Sequence, residues 1–214
     1  MAAQSSVRTS VQQIDTPVGM ARAHLARPVH VRGSVVLGHG AGGGIEAPDL
    51  VALTRLAEDG WLVVRVEQPW RVAGRRVAVP PKQLDVAWRA VLGALTRGRW
   101  ALARPLVVGG RSAGARVACR TAGDVGADAV LALSFPLHPP GKPDRSRADE
   151  ARAVADAGTP LAVIQGAKDP FGTPDDVSAA LDGRVPVFSA LGAHGFSKDP
   201  GDVLDEARAW LDRF

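Results

Sequence analysis

Ser112, Asp169 and His194 are the residues whose types and positions could support nucleophilic catalysis. A serine hydroxyl is a poor nucleophile at neutral pH. It needs an imidazole to accept its proton and a carboxylate to hold the imidazole in the correct tautomer. Ser112 lies between Gly110 and Gly114, which gives the Gly-x-Ser-x-Gly spacing of a nucleophile elbow. The spacing predicts a tight turn with Ser112 at its apex.

The segments on both sides of Ser112 favour this interpretation. An apolar run over 105–108 precedes two glycines, and small helix-forming residues follow Ser112. Strand, sharp turn and helix are the context that a nucleophile elbow requires. The alternative is a glycine-rich strand-to-helix turn in which Ser112 only caps the helix.

Asp169 and His194 each follow a predicted strand late in the chain, and His194 lies in a glycine-flanked loop. Parallel strands end at the same edge of a sheet, so both side chains are expected near Ser112. We predict that His194 is the general base and that Asp169 is its carboxylate partner. Asp175 and Asp176 are rival carboxylates, although their position suits the first turn of a helix.

Acyl transfer also requires backbone donors that stabilise a developing oxyanion. The N–H group after the nucleophile, here Ala113, is one expected donor. The second is expected from the glycine-rich loop over 38–44, where Ala41 is the first choice and Gly42 the next. Because these donors are backbone groups, His39 is predicted to brace the loop by hydrogen bonds rather than to act as a base.

Apolar strand-like runs alternate with helical patterns along most of the chain. We predict antiparallel strands within 18–27, then strands over 34–37, 61–66, 105–108, 129–133, 161–164 and 185–188. Helices are predicted over 49–59, 83–96, 147–157, 177–181 and 203–214 and directly after Ser112, with an irregular loop over 70–81. This alternation indicates an α/β three-layer sandwich, a mostly parallel sheet with helices on both faces.

Length and composition predict one globular domain over 1–214, with a flexible tail over 1–13. The net charge is +4, but the basic residues are scattered, so no nucleic-acid partner is expected. The single cysteine, Cys119, is predicted to be a small core residue. No apolar run reaches membrane-spanning length and no signal peptide is recognisable, so no membrane partner and a cytoplasmic location are expected.

The order Ser112, Asp169, His194, the Gly-His-Gly-Ala-Gly-Gly loop and the Gly-Gly-x-Ser-x-Gly elbow together resemble the α/β-hydrolase superfamily. Within it, the chain is similar to small dienelactone-hydrolase-like proteins from residue 34 to the C-terminal helix. The resemblance implies a Ser-His-Asp triad that hydrolyses an ester, thioester or related acyl bond of a small molecule, without a metal or organic cofactor. Dienelactone hydrolases carry cysteine at the elbow, where this chain has Ser112.

Several side chains are expected to line the substrate pocket at this edge of the sheet. The candidates are Arg111, which could attract a substrate carboxylate or simply pack along the sheet edge, together with Trp70, Leu137, Phe171 and Phe196. The chain between 135 and 147 is too short for a large cap domain. The sequence therefore predicts an open cleft.

Two other function classes compete with the hydrolase interpretation. Gly38-x-Gly40-x-x-Gly43 matches a dinucleotide-binding pattern, and Glu67 ends the next strand where such folds place a ribose-binding acid. Against this, residues 44–48 delay the helix that should follow the glycines directly. The second alternative is a non-catalytic interaction module built on a hydrolase scaffold.

Overall fold

The computed structural model describes residues 7–214, apart from the side chain of residue 99. The described chain contains one eight-stranded sheet with the order β1-β2-β4-β3-β5-β6-β7-β8. Its strands are β1 Arg8–Thr16, β2 Gly19–Arg27, β3 Gly33–Gly38, β4 Trp61–Glu67, β5 Leu106–Arg111, β6 Ala129–Leu133, β7 Leu161–Gly166 and β8 Val187–Ala190. Pairs β1–β2 and β2–β4 are antiparallel, and all other pairs are parallel.

Seven α-helices in the described residues cover both faces of this sheet. They are α1 Pro48–Ala52, α2 Pro69–Val72, α3 Pro81–Leu95, α4 Ala113–Thr121, α5 Ala148–Asp156, α6 Pro174–Ala180 and α7 Gly201–Leu211. Side chains of α2 to α6 pack with one set of strand residues, whereas α1, the 3₁₀ segment Leu53–Asp59 and α7 pack with the other set. The alternation of strand side chains between the two cores confirms the predicted three-layer sandwich.

The N-terminal region differs from the prediction. Residues 8–13 belong to β1, which pairs along its whole length with β2, so the predicted tail over 1–13 is wrong for these residues. Residues 1–6 lie outside the described part of the chain. Seven of the nine residues of β1 are polar, and Ile14 is its one buried residue. An edge strand of this kind is easily mistaken for a solvated tail.

Two predicted segments have different local structures. The helix expected over 49–59 is α-helical only to Ala52 and continues as the 3₁₀ segment Leu53–Asp59, which ends at Gly60 in the left-handed conformation. The loop expected over 70–81 contains α2, which begins with Pro69 in its first turn.

No large cap domain is present among the residues that the structure describes. The connection between β6 and α5 consists of residues 134–147 and leaves the edge of the sheet open. None of the helices within 7–214 is long and apolar enough to span a bilayer.

Candidate active site

Ser112 occupies a strained turn between β5 and α4. Its φ is 51° and its ψ is −111°, values that a residue with a side chain rarely adopts. Gly110 and Gly114 pack directly against the main chain of Gly38, where an added Cβ on either glycine would collide with the Gly38 carbonyl oxygen. The Ser112 N–H donates to the Leu133 carbonyl at the end of β6, 2.9 Å away. These contacts explain why the turn needs glycines on both sides of the serine.

The structure brings the three predicted catalytic side chains together. His194 Nε2 lies 2.8 Å from Ser112 Oγ, and His194 Nδ1 lies 2.8 Å from Asp169 Oδ2. An ionised carboxylate only accepts hydrogen bonds, so Nδ1 carries the proton in this arrangement. Nε2 is then free to accept the hydroxyl hydrogen of Ser112, which is the geometry that activates a serine.

Asp169 is held in one orientation by three contacts. The carboxylate is buried, and its Oδ2 accepts from Gln165 Nε2 at 3.0 Å as well as from His194. Its Oδ1 accepts from the Phe171 N–H at 2.9 Å. A carboxylate fixed in this way fixes the orientation of the imidazole in turn.

The rival carboxylates have a different function in the fold. Asp176 and Thr173 form a reciprocal capping box at the start of α6. The Thr173 hydroxyl and N–H both donate to the Asp176 carboxylate, which lowers the pKa of Asp176. Asp175 lies in the first turn of the same helix. Neither residue hydrogen-bonds to His194.

The main chain at His194 is held by Arg111, whose Nη2 donates to the His194 carbonyl oxygen at 2.7 Å. Arg111 Nε also lies 3.3 Å from Asp49 Oδ2. The Asp49 side chain is fully buried, which raises its pKa, and the charge of Arg111 opposes that shift. The Phe171 ring lies against the imidazole, with ring centroids 4.1 Å apart.

Ser112 and His194 open into a cleft of about 510 Å³. The other residues that line it are Gly40, Ala41, Gly42, Gly43, Arg111, Ala113, Arg116, Pro136, Arg147 and Phe171. The predicted oxyanion donors Ala41, Gly42 and Ala113 therefore belong to the same cleft as the serine. Ala113 is the first residue of α4, so its N–H group also lies at the positive end of the helix dipole.

Trp70, Leu137 and Phe196 do not line this cleft, contrary to the prediction. All three are buried: Trp70 packs edge-on against the ring of His39, Leu137 packs on Gly172, and Phe196 belongs to the core on the α7 side of the sheet. Large apolar side chains turn inward when a core surface is within reach, because burial removes their apolar surface from water.

Arg116 and Arg147 line the cleft but were missed by the sequence prediction. Arg116 lies four residues after Ser112 on a predicted helix, so helical periodicity could have placed both on one face. Arg147 had no comparable signal, because its position depends on how the 134–147 connection folds.

His39 braces the glycine-rich loop, as predicted. Its Nε2 accepts from the Gln68 N–H at 3.1 Å, so Nδ1 carries the proton and donates to the Gly40 carbonyl at 2.9 Å. Burial lowers the pKa of His39, which favours this neutral form. The loop does not open directly into a helix, because α1 begins at Pro48.

Cys119 is buried in α4, as predicted, and burial raises the pKa of its thiol to about 12. The neutral thiol is a poor nucleophile. Within the described chain, no group of three or more His, Cys, Asp or Glu side chains is arranged to hold a metal ion.

A serine at a strand-to-helix turn contacts a histidine on a later loop of a parallel sheet, and that histidine contacts a buried aspartate. This arrangement is typical of the α/β-hydrolase class of fold and site. A family model described as an alpha/beta hydrolase domain matches residues 31–201. The chain belongs to this family. No curated protein sequence matches the chain.

Solved structures with low sequence identity share the fold. An α/β serine hydrolase without a lid from Xanthomonas campestris has 19% identity and a TM-score of 0.72, covering 96% of this chain and 94% of that chain. Est1E from Butyrivibrio proteoclasticus has 16% identity and a TM-score of 0.74, with coverages of 95% and 98%. Dienelactone hydrolase from Anabaena variabilis has 15% identity and a TM-score of 0.72, with coverages of 97% and 98%.

Proposed function

We propose that the protein is a serine hydrolase that cleaves a small ester, thioester or related acyl bond. The observation that carries this proposal is the hydrogen-bonded series Ser112 Oγ, His194 Nε2, His194 Nδ1, Asp169 Oδ2, with both contacts at 2.8 Å. The family assignment and the esterase and dienelactone hydrolase neighbours support the same class of reaction.

In the first half of the reaction, Ser112 Oγ attacks the carbonyl carbon while His194 Nε2 takes the hydroxyl proton. The negative charge that develops on the carbonyl oxygen is stabilised by the N–H of Ala113 and by an N–H of Ala41 or Gly42. The bond to the alcohol or thiol then breaks, and the leaving group receives the proton from His194. The acyl group stays on Ser112 as an ester.

In the second half, His194 accepts a proton from water as the water oxygen attacks the acyl carbon. The bond to Ser112 breaks, the serine recovers its proton from His194, and a carboxylic acid leaves. Asp169 remains ionised and stabilises the imidazolium in both halves. These steps use side-chain and backbone groups of this chain and one water molecule.

The shape of the cleft favours small substrates. It is open, and Gly40, Gly42 and Gly43 form part of its wall without side chains. We propose a small-molecule acyl substrate bound beside Phe171, with no nucleic-acid or membrane partner. The single cysteine of the chain is buried and unpaired, which supports a cytoplasmic location for this activity.

Labelling with a neutral fluorophosphonate tests the proposal, because this reagent phosphonylates only an activated serine. We expect mass spectrometry to show one adduct on the wild-type protein and none on Ser112→Ala. Ser189→Ala is the matched control, since Ser189 is exposed on β8 and should leave labelling unchanged. A folded wild-type protein that neither reacts nor hydrolyses short 4-nitrophenyl esters would contradict the proposal and favour a non-catalytic module.

A further inference from the structure

Arg147 places a guanidinium in the wall of the cleft that contains Ser112. Its Nη1 donates to the Pro136 carbonyl at 3.1 Å. Within residues 7–214, no carboxylate lies within ion-pairing distance of this guanidinium. Partial burial and the charge of Arg116 lower the pKa of Arg147, and the carboxylate of Glu150 offsets only part of that shift.

The carboxylates next to Arg147 are engaged by two other arginines. Arg116 pairs with both oxygens of Glu150, at 2.7 and 2.6 Å. Arg120 pairs with both oxygens of Asp85, at 2.9 and 2.6 Å, and shares Glu150 Oε1 at 3.0 Å. Among the described residues these two carboxylates therefore pair with Arg116 and Arg120, and neither forms an ion pair with Arg147. The positive charge that lacks a partner carboxylate is that of Arg147, at the border of the cleft.

The remaining wall of the cleft adds no negative side chain. Its charged lining residues in the described chain are Arg111, Arg116 and Arg147, with no aspartate or glutamate among them. Arg111 is occupied by Asp49 and the His194 carbonyl, and Arg116 is paired with Glu150. An anionic group on the substrate would therefore find its counter-charge at Arg147, on the α4–α5 side of Ser112.

We infer that Arg147 forms a subsite for a substrate carboxylate. This inference rests on the proposed function and names its substrate class as half-esters of short dicarboxylic acids. The ester carbonyl would lie at Ser112, and the free carboxylate would accept hydrogen bonds from the Arg147 guanidinium. A planar carboxylate matches the fork of N–H donors that arginine presents.

The kinetic test compares the monomethyl esters of succinate, glutarate and adipate with the corresponding dimethyl esters, which lack the free carboxylate. We expect at least one monoester to be hydrolysed with a higher kcat/KM than its diester. Arg147→Gln should lower kcat/KM for that monoester by about 10- to 100-fold and change the diester by less than about twofold. Arg147→Lys should recover part of the loss, because the charge returns without the fork.

Arg145→Gln is the matched control, since Arg145 is exposed two residues before Arg147 and does not line the cleft. It should hydrolyse both esters as the wild type does. An equal preference for monoester and diester in the wild type, or an equal loss on both substrates in Arg147→Gln, would overturn the inference.

A binding arm separates this inference from the proposed catalytic activity. Glutarate is titrated by calorimetry into Ser112→Ala and into Ser112→Ala/Arg147→Gln, with thermal melting to show that both are folded. Binding only to the first variant supports the subsite even when no ester is hydrolysed, in which case the proposed function alone fails. Hydrolysis of neutral esters without glutarate binding to Ser112→Ala overturns the subsite and leaves the proposed function standing.

Discussion

The guanidinium of Arg111 joins the main chain at His194 to the buried carboxylate of Asp49. Arg111 Nη2 donates to the His194 carbonyl at 2.7 Å, and Arg111 Nε lies 3.3 Å from Asp49 Oδ2. The residue before the nucleophile therefore helps to position the loop that carries the proposed base. This contact indicates a positioning function for Arg111, whose side chain also borders the cleft.

Arg111→Met is expected to reduce kcat about tenfold and to change KM for a neutral ester little, because the His194 loop loses an anchor while methionine retains most of the length that Arg111 presents to the cleft. The same change leaves Asp49 buried without its cation. Loss of one partner of a buried ion pair costs roughly 3 kcal/mol, which urea unfolding would detect.

The second substitution Asp49→Asn separates these two effects. In Arg111→Met/Asp49→Asn the buried charge is gone, so part of the lost stability should return while kcat stays low. Full recovery of kcat in the double variant would contradict the positioning function of Arg111. Arg184→Gln, which breaks an exposed pair with Asp156, serves as the control and should change neither quantity measurably.

Asp169→Asn is expected to lower kcat by roughly 10³- to 10⁴-fold without unfolding the protein. An amide cannot stabilise the imidazolium, and it can hold the ring in the wrong tautomer. Asp176→Asn is the matched control: it weakens the cap of α6 and should cost about 1 kcal/mol of stability with unchanged kcat. Ester hydrolysis and urea unfolding are measured for both variants. A larger loss of kcat in Asp176→Asn than in Asp169→Asn would contradict the assignment of Asp169 as the partner of His194.

The proposed triad could be predicted from sequence because each of its parts is encoded locally. A buried apolar strand followed by glycines fixes the turn at Ser112, and parallel strands bring Asp169 and His194 to the same edge. The contact between Ser112 and His194, which are 82 positions apart, then follows from the order of the strands without any knowledge of side-chain packing.

The walls of the cleft were harder to predict, because they depend on packing between distant segments. Trp70 lies in the short helix α2 and Phe196 lies on a loop, and only the folded chain shows that each side chain turns into the core. Arg147 enters the cleft because α5 packs against α4 through Arg116 and Glu150, a contact without a local sequence signal. The strand β1 was missed for the related reason that one buried side chain, Ile14, gives a weak pattern.

Gly114→Ala is expected to destabilise the protein and to abolish most hydrolysis. The new methyl group would collide with the Gly38 carbonyl, so the elbow must shift away from β3 and carry Ser112 with it. Gly93→Ala is the control in α3, where the added Cβ meets nothing within 4 Å. That change should stabilise the protein by about 0.5–1 kcal/mol and leave kcat unchanged. Similar unfolding midpoints for the two variants would show that the close approach at Gly38 is unimportant.

The buried imidazole of His39 is expected to make the fold sensitive to mild acid. Burial lowers the pKa of His39 in the folded protein below the unfolded value of about 6.5. Between these two pKa values the unfolded chain binds more protons, so stability is complete above about pH 6.5 and is lost as the pH falls toward the folded pKa. His24, whose pKa is also lowered by burial, contributes in the same direction.

Urea unfolding from pH 7.5 to 5 tests this prediction. The free energy of unfolding should fall less steeply with decreasing pH for His39→Gln than for the wild type. The exposed His30→Gln control should follow the wild-type curve, and parallel curves for all three proteins would show that His39 is not the buried neutral brace of the glycine loop.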